Sequence, residues 1–248
     1  PRTPAPALRE AVSADWLVIG AGFAGLATAR RLAENCPNDR IIILEAGVAG
    51  DNASGRNSGF AIDVPHNVGS STAELEKAVN YKRLMKAGIA HLKGVVDTHS
   101  IDCSWSQRGK YHCAASAKLV DSLLKHHAEE LDRLKEPYVW FNRDQLRERL
   151  GTSFFRSGIY TPGCILLNPA ALTRGLADTL PNNVVLYENS PVTWLDFEGK
   201  VYVKTAFGEV RARKLILANN GSIGQLPGFE WQLFTAVSYA SFTHSFSE

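Results

Sequence analysis

The chain is expected to adopt an α/β fold, with parallel strands around a helix and a long helical insertion between the strand-rich parts. Three observations carry this. Residues 15–19 form an apolar run of strand length that feeds Gly20-x-Gly22-x-x-Gly25, and a helical pattern follows to Asn35. A second run, Ile41-Ile-Ile-Leu, ends on Glu45, 25 residues after Gly20. From Asn183 the period changes to that of strands, and the last run, residues 209–219, turns from alternating to continuously apolar, as a hairpin strand returning into a buried parallel sheet does.

Each glycine of the first motif has a physical task. Gly20 permits the tight turn out of the strand, Gly22 lets a pyrophosphate approach backbone N–H groups, and Gly25 lets the helix pack closely on the sheet. Phosphates would then sit at the positive end of the helix. Glu45 stands where it can accept hydrogen bonds from ribose hydroxyls and would repel a 2′-phosphate, which disfavours NADP. Strand, glycines, helix, second strand and carboxylate in this order predict a dinucleotide site.

Composition narrows the function classes. Lys plus Arg number 27 and Asp plus Glu 25, a formal charge of +2, with the basic residues scattered along the chain, so a nucleic-acid partner has little support. The four cysteines, Cys36, Cys103, Cys113 and Cys164, form no CxxC pair and no His/Cys cluster of metal spacing, so reduced thiols and no metal site are expected. No apolar run reaches membrane-spanning length and no signal peptide opens the chain as given, which makes the cytosol (cytoplasmic location) the simplest compartment.

Residues 1–14 carry three prolines and no period, and read as a flexible lead-in. The first part of the dinucleotide domain is placed at 15–62. Within it, residues 46–60 hold four glycines and several small polar residues. This loop follows the second strand and so emerges on the ligand side of such a sheet, where small residues can pack against a flat ring, with Arg56 and Asn57 its substantial hydrogen-bonding side chains. A helical and extended insertion occupies 63–165. It contains a long amphipathic helix over 75–96, one or two strands over 101–115, a helix over 116–134 striped by Leu119, Val120, Leu123, Leu124, Leu131 and Leu134, and a capping box at Asn142 and Gln145. His126 and His127 read as a solvated helix surface, and Cys164, with no adjacent His, as a buried thiol. The second part of the domain, 166–228, opens with Asn168-Pro169 as N-cap and first helical residue, and continues through strands at 184–188, 192–197, 201–206 and 209–219.

These residues together carry a resemblance. Residues 15–45, Ser54-Gly55-Arg56-Asn57-Ser58-Gly59, residues 167–176, Pro191-Val192 and residues 215–221 resemble the D-amino-acid oxidase superfamily of FAD-dependent flavoproteins, within it the glycine, sarcosine and gamma-glutamylputrescine oxidase branch. The resemblance implies a glutathione-reductase-like FAD-binding Rossmann domain with an inserted helical segment and the beginning of an α+β substrate domain at 229–248. It implies that Gly20, Gly22, Phe23, Ala24 and Gly25 hold the FAD pyrophosphate and that Glu45 and Ala46 hold the adenosine ribose. Ser54, Arg56, Asn57, Ser58 and Gly59 would lie beside the isoalloxazine, Val192 on the adenine side, and Asn219, Asn220 and Gly221 along the cofactor cleft.

The implied activity is oxidation of a C–N bond in an amine or amino acid by hydride transfer to flavin N5, giving an imine that hydrolyses, with oxygen as acceptor. That chemistry requires no dedicated acid or base, so no catalytic residue is assigned beyond Arg56 and Asn57 as candidate tuners of the flavin or guides for the substrate. No His stands in the loop where some relatives attach flavin, so noncovalent FAD is the default. Family members continue well past residue 248, and a strand-like run at 233–241 would leave an unpaired edge, so a fragment or a second polypeptide completing the fold is expected. A flavin dehydrogenase with another acceptor and a noncatalytic FAD-binding subunit remain as alternatives.

Overall fold

The structure is a computed structural model and describes residues 2–65, 72–197, 199–225, 229 and 233–236. Strands run in chain order as β1 (Ala11–Ile19), β2 (Ile41–Leu44), β3 (Phe60–Ala61), β4 (Ser106–Gln107), β5 (Lys110–Ala114) and β6 (Val139–Asn142). They continue as β7 (Ser157–Thr161), β8 (Ile165–Leu166), β9 (Val184–Tyr187), β10 (Trp194–Asp196), β11 (Val201–Lys204) and β12 (Glu209–Leu217). The main helices are α1 (Phe23–Asn35), α2 (Thr72–Thr98), α3 (Lys125–Leu134), α4 (Arg143–Leu150) and α5 (Pro169–Asp178). Described residues up to Val48 and from Leu180 form one compact unit, and those of Ala49–Thr179 form another.

The first unit is built on a six-stranded sheet of order β10-β11-β12-β1-β2-β9. β12, β1, β2 and β9 are parallel, while β10 and β11 run antiparallel beside them. β12 does both jobs the sequence assigned it, pairing Val201–Lys204 with its first residues and β1 along its whole length. Leu17, Ile42, Leu44, Val203 and Val210 make one side of the sheet a continuous apolar core.

The expected lead-in over 1–14 is corrected here. β1 begins at Ala11, pairing Ala11–Ala14 with Glu209–Ala212, and Leu8 is 1% exposed within the core. The cause is a fully buried carboxylate: both Glu188 oxygens accept from Arg2 Nη1, at 2.8 and 2.7 Å, and the Ala5 N–H donates to one of them. A buried anion needs such partners, and they tie the proline-rich segment down.

The second unit holds two three-stranded antiparallel sheets, β3-β8-β4 and β5-β7-β6, with helices around a core of Leu124, Leu131, Leu134, Ala78 and Ile159. The local signals read from sequence are present. Asn142 and Gln145 form a reciprocal capping box, Gly151 ends α4 at φ 70°, and Asn168 caps α5 by accepting from the Ala171 N–H.

The helix expected over 116–134 differs. A π-helical turn, Val120–Leu124, precedes α3. One extra residue in a turn rotates the following face by about 100°. Leu119 and Leu123, expected in the stripe, are exposed, and beyond the turn His127, expected on a solvated surface, is buried with Glu130. The His127 ring packs edge-on to His112 with centroids 4.2 Å apart, and His126 stays exposed.

The compact units divide at Val48/Ala49 and Thr179/Leu180, so the loop before β3 and all of α5 group with the insertion. Contacts within that unit explain it: Arg174 Nη2 donates to Asp51 Oδ1 at 2.9 Å, and the Leu167 N–H donates to Gly59 O at 2.9 Å. The strand expected over 233–241 lies outside the described residues except for 233–236, which carry no regular structure.

Candidate functional site

In the first unit the candidate site is the turn between β1 and α1. Gly20 has φ +105°, and a Cβ there would stand 2.6 Å from Ala218 O. A Cβ on Gly25 would stand 1.9 Å from Gly20 O, so both positions exclude any other residue. Gly22 caps α1 with extended backbone, makes no side-chain cap, and the first helical turn contains no acidic residue. α4 and α5, by contrast, spend an Asn side chain on their first turn. The N-terminus of α1 thus offers backbone donors and the helix dipole to an anion.

Glu45 is 8% exposed at the end of β2. Its Oε2 accepts from the Ala21 N–H at 2.8 Å and its Oε1 from the Gly47 N–H at 3.0 Å. Each oxygen keeps a lone pair, and the carboxylate is fixed against the glycine turn, an arrangement that suits ribose hydroxyls. Ala46 beside it is exposed. Asn219 follows β12, its N lying 3.2 Å from the Cβ position on Gly20, and its buried Oδ1 has no hydrogen-bond partner among the described residues. A buried acceptor left open is unusual and fits a donor brought by a ligand. Asn220, at φ +49°, and Gly221 begin a 3-10 turn, and Val192 packs at the margin of the sheet core. Gly20, Gly25, Glu45 and Asn219 therefore meet at one turn.

In the second unit the 50–59 loop repeats the same device. Gly50 has φ +88°, and a Cβ on Gly55 would stand 1.8 Å from Gly50 O. Gly59, at φ +75°, leaves no room either, its Cβ position lying 2.1 Å from Leu167 O. Asn57 locks the loop from within. Its Nδ2 donates to Ala53 O at 3.1 Å and Ser54 O at 2.9 Å, and its Oδ1 accepts from the Gly59 N–H at 2.9 Å. Arg56 and Ser58 are exposed, and the Arg56 guanidinium has no partner among the described residues. Sequence reasoning found this loop but not the Gly50–Gly55 pairing, whose cause is a carbonyl approach visible only in three dimensions.

A family model described as DAO, FAD dependent oxidoreductase, matches residues 15–245. The chain belongs to this family. Among curated relatives, this DAO-family chain is 30% identical over 232 residues to a protein described as probable oxidoreductase OrdL from Haemophilus influenzae, aligning 90% of the chain and 52% of the relative. It is 25% identical over 231 residues to the gamma-glutamylputrescine oxidoreductase of Escherichia coli, with 89% and 52% aligned. It spans about half the length of these relatives. Among solved structures, glycine oxidase from Geobacillus kaustophilus superimposes with a TM-score of 0.69 at 21% identity, covering 83% of this chain and 55% of that one. L-amino acid deaminase from Proteus myxofaciens gives 0.65 at 22%, with 88% and 47% covered. These likenesses carry the FAD-binding Rossmann-like fold, with helical insertions and mixed sheet, to this DAO-family member.

Four free cysteines are present, and burial raises the thiol pKa of Cys103, Cys113 and Cys164, with Cys164 fully buried. Among the described residues no helix is long and apolar enough to cross a membrane, and no group of His, Cys, Asp and Glu is placed to hold a metal.

Proposed function

We propose that the protein oxidises the C–N bond of a primary or secondary amine, or of an amino acid, using noncovalent FAD and returning the electrons to oxygen. The observation that carries the reading is a family match running through both the glycine turn at 20–25 and the loop at 54–59, each built so that only glycine fits its close backbone approaches. The relatives named above share a substrate chemistry, amines and amino acids, which supports the reading.

Gly20, Gly22, Phe23, Ala24 and Gly25 would bring backbone N–H groups to the pyrophosphate, and Glu45 would orient the adenosine ribose. Ala46 and Val192 would border the adenosine half, and Asn219, Asn220 and Gly221 would line the cleft, the open Asn219 acceptor taking a donor from the cofactor. Ser54, Asn57, Ser58 and Gly59 would form a rigid shelf for the ring, Asn57 acting through the loop it locks. Arg56 would guide an anionic substrate group or tune the ring. When bound, FAD supplies the two-electron acceptor; the chain's own work is positioning and exclusion of water.

The test is a flavin spectrum of the purified native protein, followed by anaerobic titration with a panel of primary amines, secondary amines and D- and L-amino acids. Bleaching of the flavin by a member of the panel, with peroxide formed on readmitting air, is expected. A protein that binds no flavin, or whose flavin no amine reduces, would overturn the reading.

A further inference from the structure

A cavity of about 670 Å³ lies in the first unit beside β1, β12 and β11, lined by Asp15, Arg40, Lys200, Tyr202, Arg211 and Arg213 among others. Strand register assembles it. Ser13, Arg211 and Tyr202 are successive cross-strand partners on β1, β12 and β11, and Asp15 and Arg213, joined by a hydrogen bond, follow two residues further along. The row between them, Ala14, Ala212 and Val201, lines the cavity as well and packs against the core. Residues far apart in sequence thus meet on one surface. A single carboxylate, Asp15, lines it beside four cations, and Glu209 adjoins two of the lining residues, accepting from the Tyr202 hydroxyl and pairing with Arg211.

The single carboxylate is already engaged. Asp15 accepts from the Arg40 backbone N–H at 2.9 Å and from Arg213 Nη1 at 3.2 Å, and these contacts hold its pKa below the ordinary value. Arg211 lies over the Tyr202 ring, 5.4 Å from its centroid, and 3.7 Å from Glu209. The side chains of Arg40 and Lys200 have no partner among the described residues. Two open cations beside a partly engaged guanidinium form a cradle for a divalent anion, and guanidinium forks suit phosphate oxygens in particular. The volume falls in the range of small-molecule sites, about 300–1,000 Å³. The Gly20 turn lies at the other end of β1, about 16 Å along the strand from Asp15, so this cavity is separate from the cofactor turn.

We propose that this cavity binds a phosphorylated small molecule of nucleotide size, its phosphate held by Arg40, Lys200 and Arg213. The inference does not depend on the amine-oxidation reading. The experiment is calorimetric titration of the FAD-loaded full chain with ADP at about 0.15 M ionic strength, where long-range surface attraction is screened. Saturable binding at one site, competed by inorganic phosphate and without release of FAD, is expected. The Arg40→Glu, Lys200→Glu double variant should weaken it about tenfold or more, with FAD content and melting temperature unchanged, since both side chains are exposed and have no partner among the described residues. Absence of saturable binding, binding that the double variant leaves intact, displacement of FAD by ADP, or binding confined to long polyanions such as an oligonucleotide would each overturn the proposal.

Discussion

Glycine to alanine is expected to act with opposite sign at Gly25 and Gly88. A Cβ on Gly25 meets backbone, Gly20 O at 1.9 Å, so the turn or the helix must move; Gly25→Ala should destabilise the protein by about 2–3 kcal/mol and lower its flavin content. At Gly88, inside α2, nothing lies within 4 Å of the added Cβ, and alanine should stabilise by about 0.5–1 kcal/mol through the unfolded chain. Chemical denaturation of both variants, with flavin absorbance for the first, checks the pair. A Gly25→Ala protein as stable and as yellow as the parent would remove the close-packing account of the turn. The motif containing Gly25 was legible in sequence because spacing alone defines it. The matching role of Gly55 was not, because its five-residue spacing to Gly50 resembles any loop until the carbonyl approach is seen.

Among elements, α2 and the end of α3 are joined by a charged clamp that no local pattern announces. Lys82 Nζ donates to Leu134 O at 2.6 Å and lies 3.1 Å from Glu136 Oε1, which Lys86 Nζ also approaches at 2.7 Å. Burial raises the Glu136 pKa, but the hydrogen bonds and charges of Lys86 and Lys82 together outweigh it and leave the value below normal. A lowered folded pKa means stability that is complete above the unfolded value, about 4.3, and lost as pH falls through the folded one. Glu136→Gln should therefore cost about 1–2 kcal/mol at pH 7, with the difference from the parent shrinking below about pH 4. Unfolding curves across about pH 3–7 measure it, and a gap independent of pH would mean that packing, not charge, joins the helices. Caps at Asn142 and Asn168 were readable because their partners sit three residues away. His127 was not, because the π turn before it changes which face of α3 is buried, and turn type is set by packing against β5 and β7 rather than by the leucine spacing.

For the molecule as a whole, the fold class and the glycine-built half of the candidate site were legible, since a strand, a turn and a helix in sequence imply their own arrangement. What remained hidden depends on residues that only the sheet brings together: Arg40 with Lys200 and Arg213, and Arg2 with Glu188. The second pair decides how the first unit is held closed. The Glu188 side chain is 0% exposed and that of Arg2 11%, so the carboxylate has exchanged water for the guanidinium and the Ala5 N–H. Removing the cation takes two hydrogen bonds from a buried charge. Arg2→Ala should then destabilise by about 2–4 kcal/mol, less than the loss for a wholly unpaired ion because the Ala5 contact survives. Arg2→Ala combined with Glu188→Gln should recover part of that loss, because a neutral amide can stay buried with the same backbone donor. Thermal unfolding of the two variants separates the possibilities: recovery in the double variant identifies the buried charge as the cause. Equal losses in both would show instead that Arg2 holds the segment through its packing and not by neutralising the buried charge.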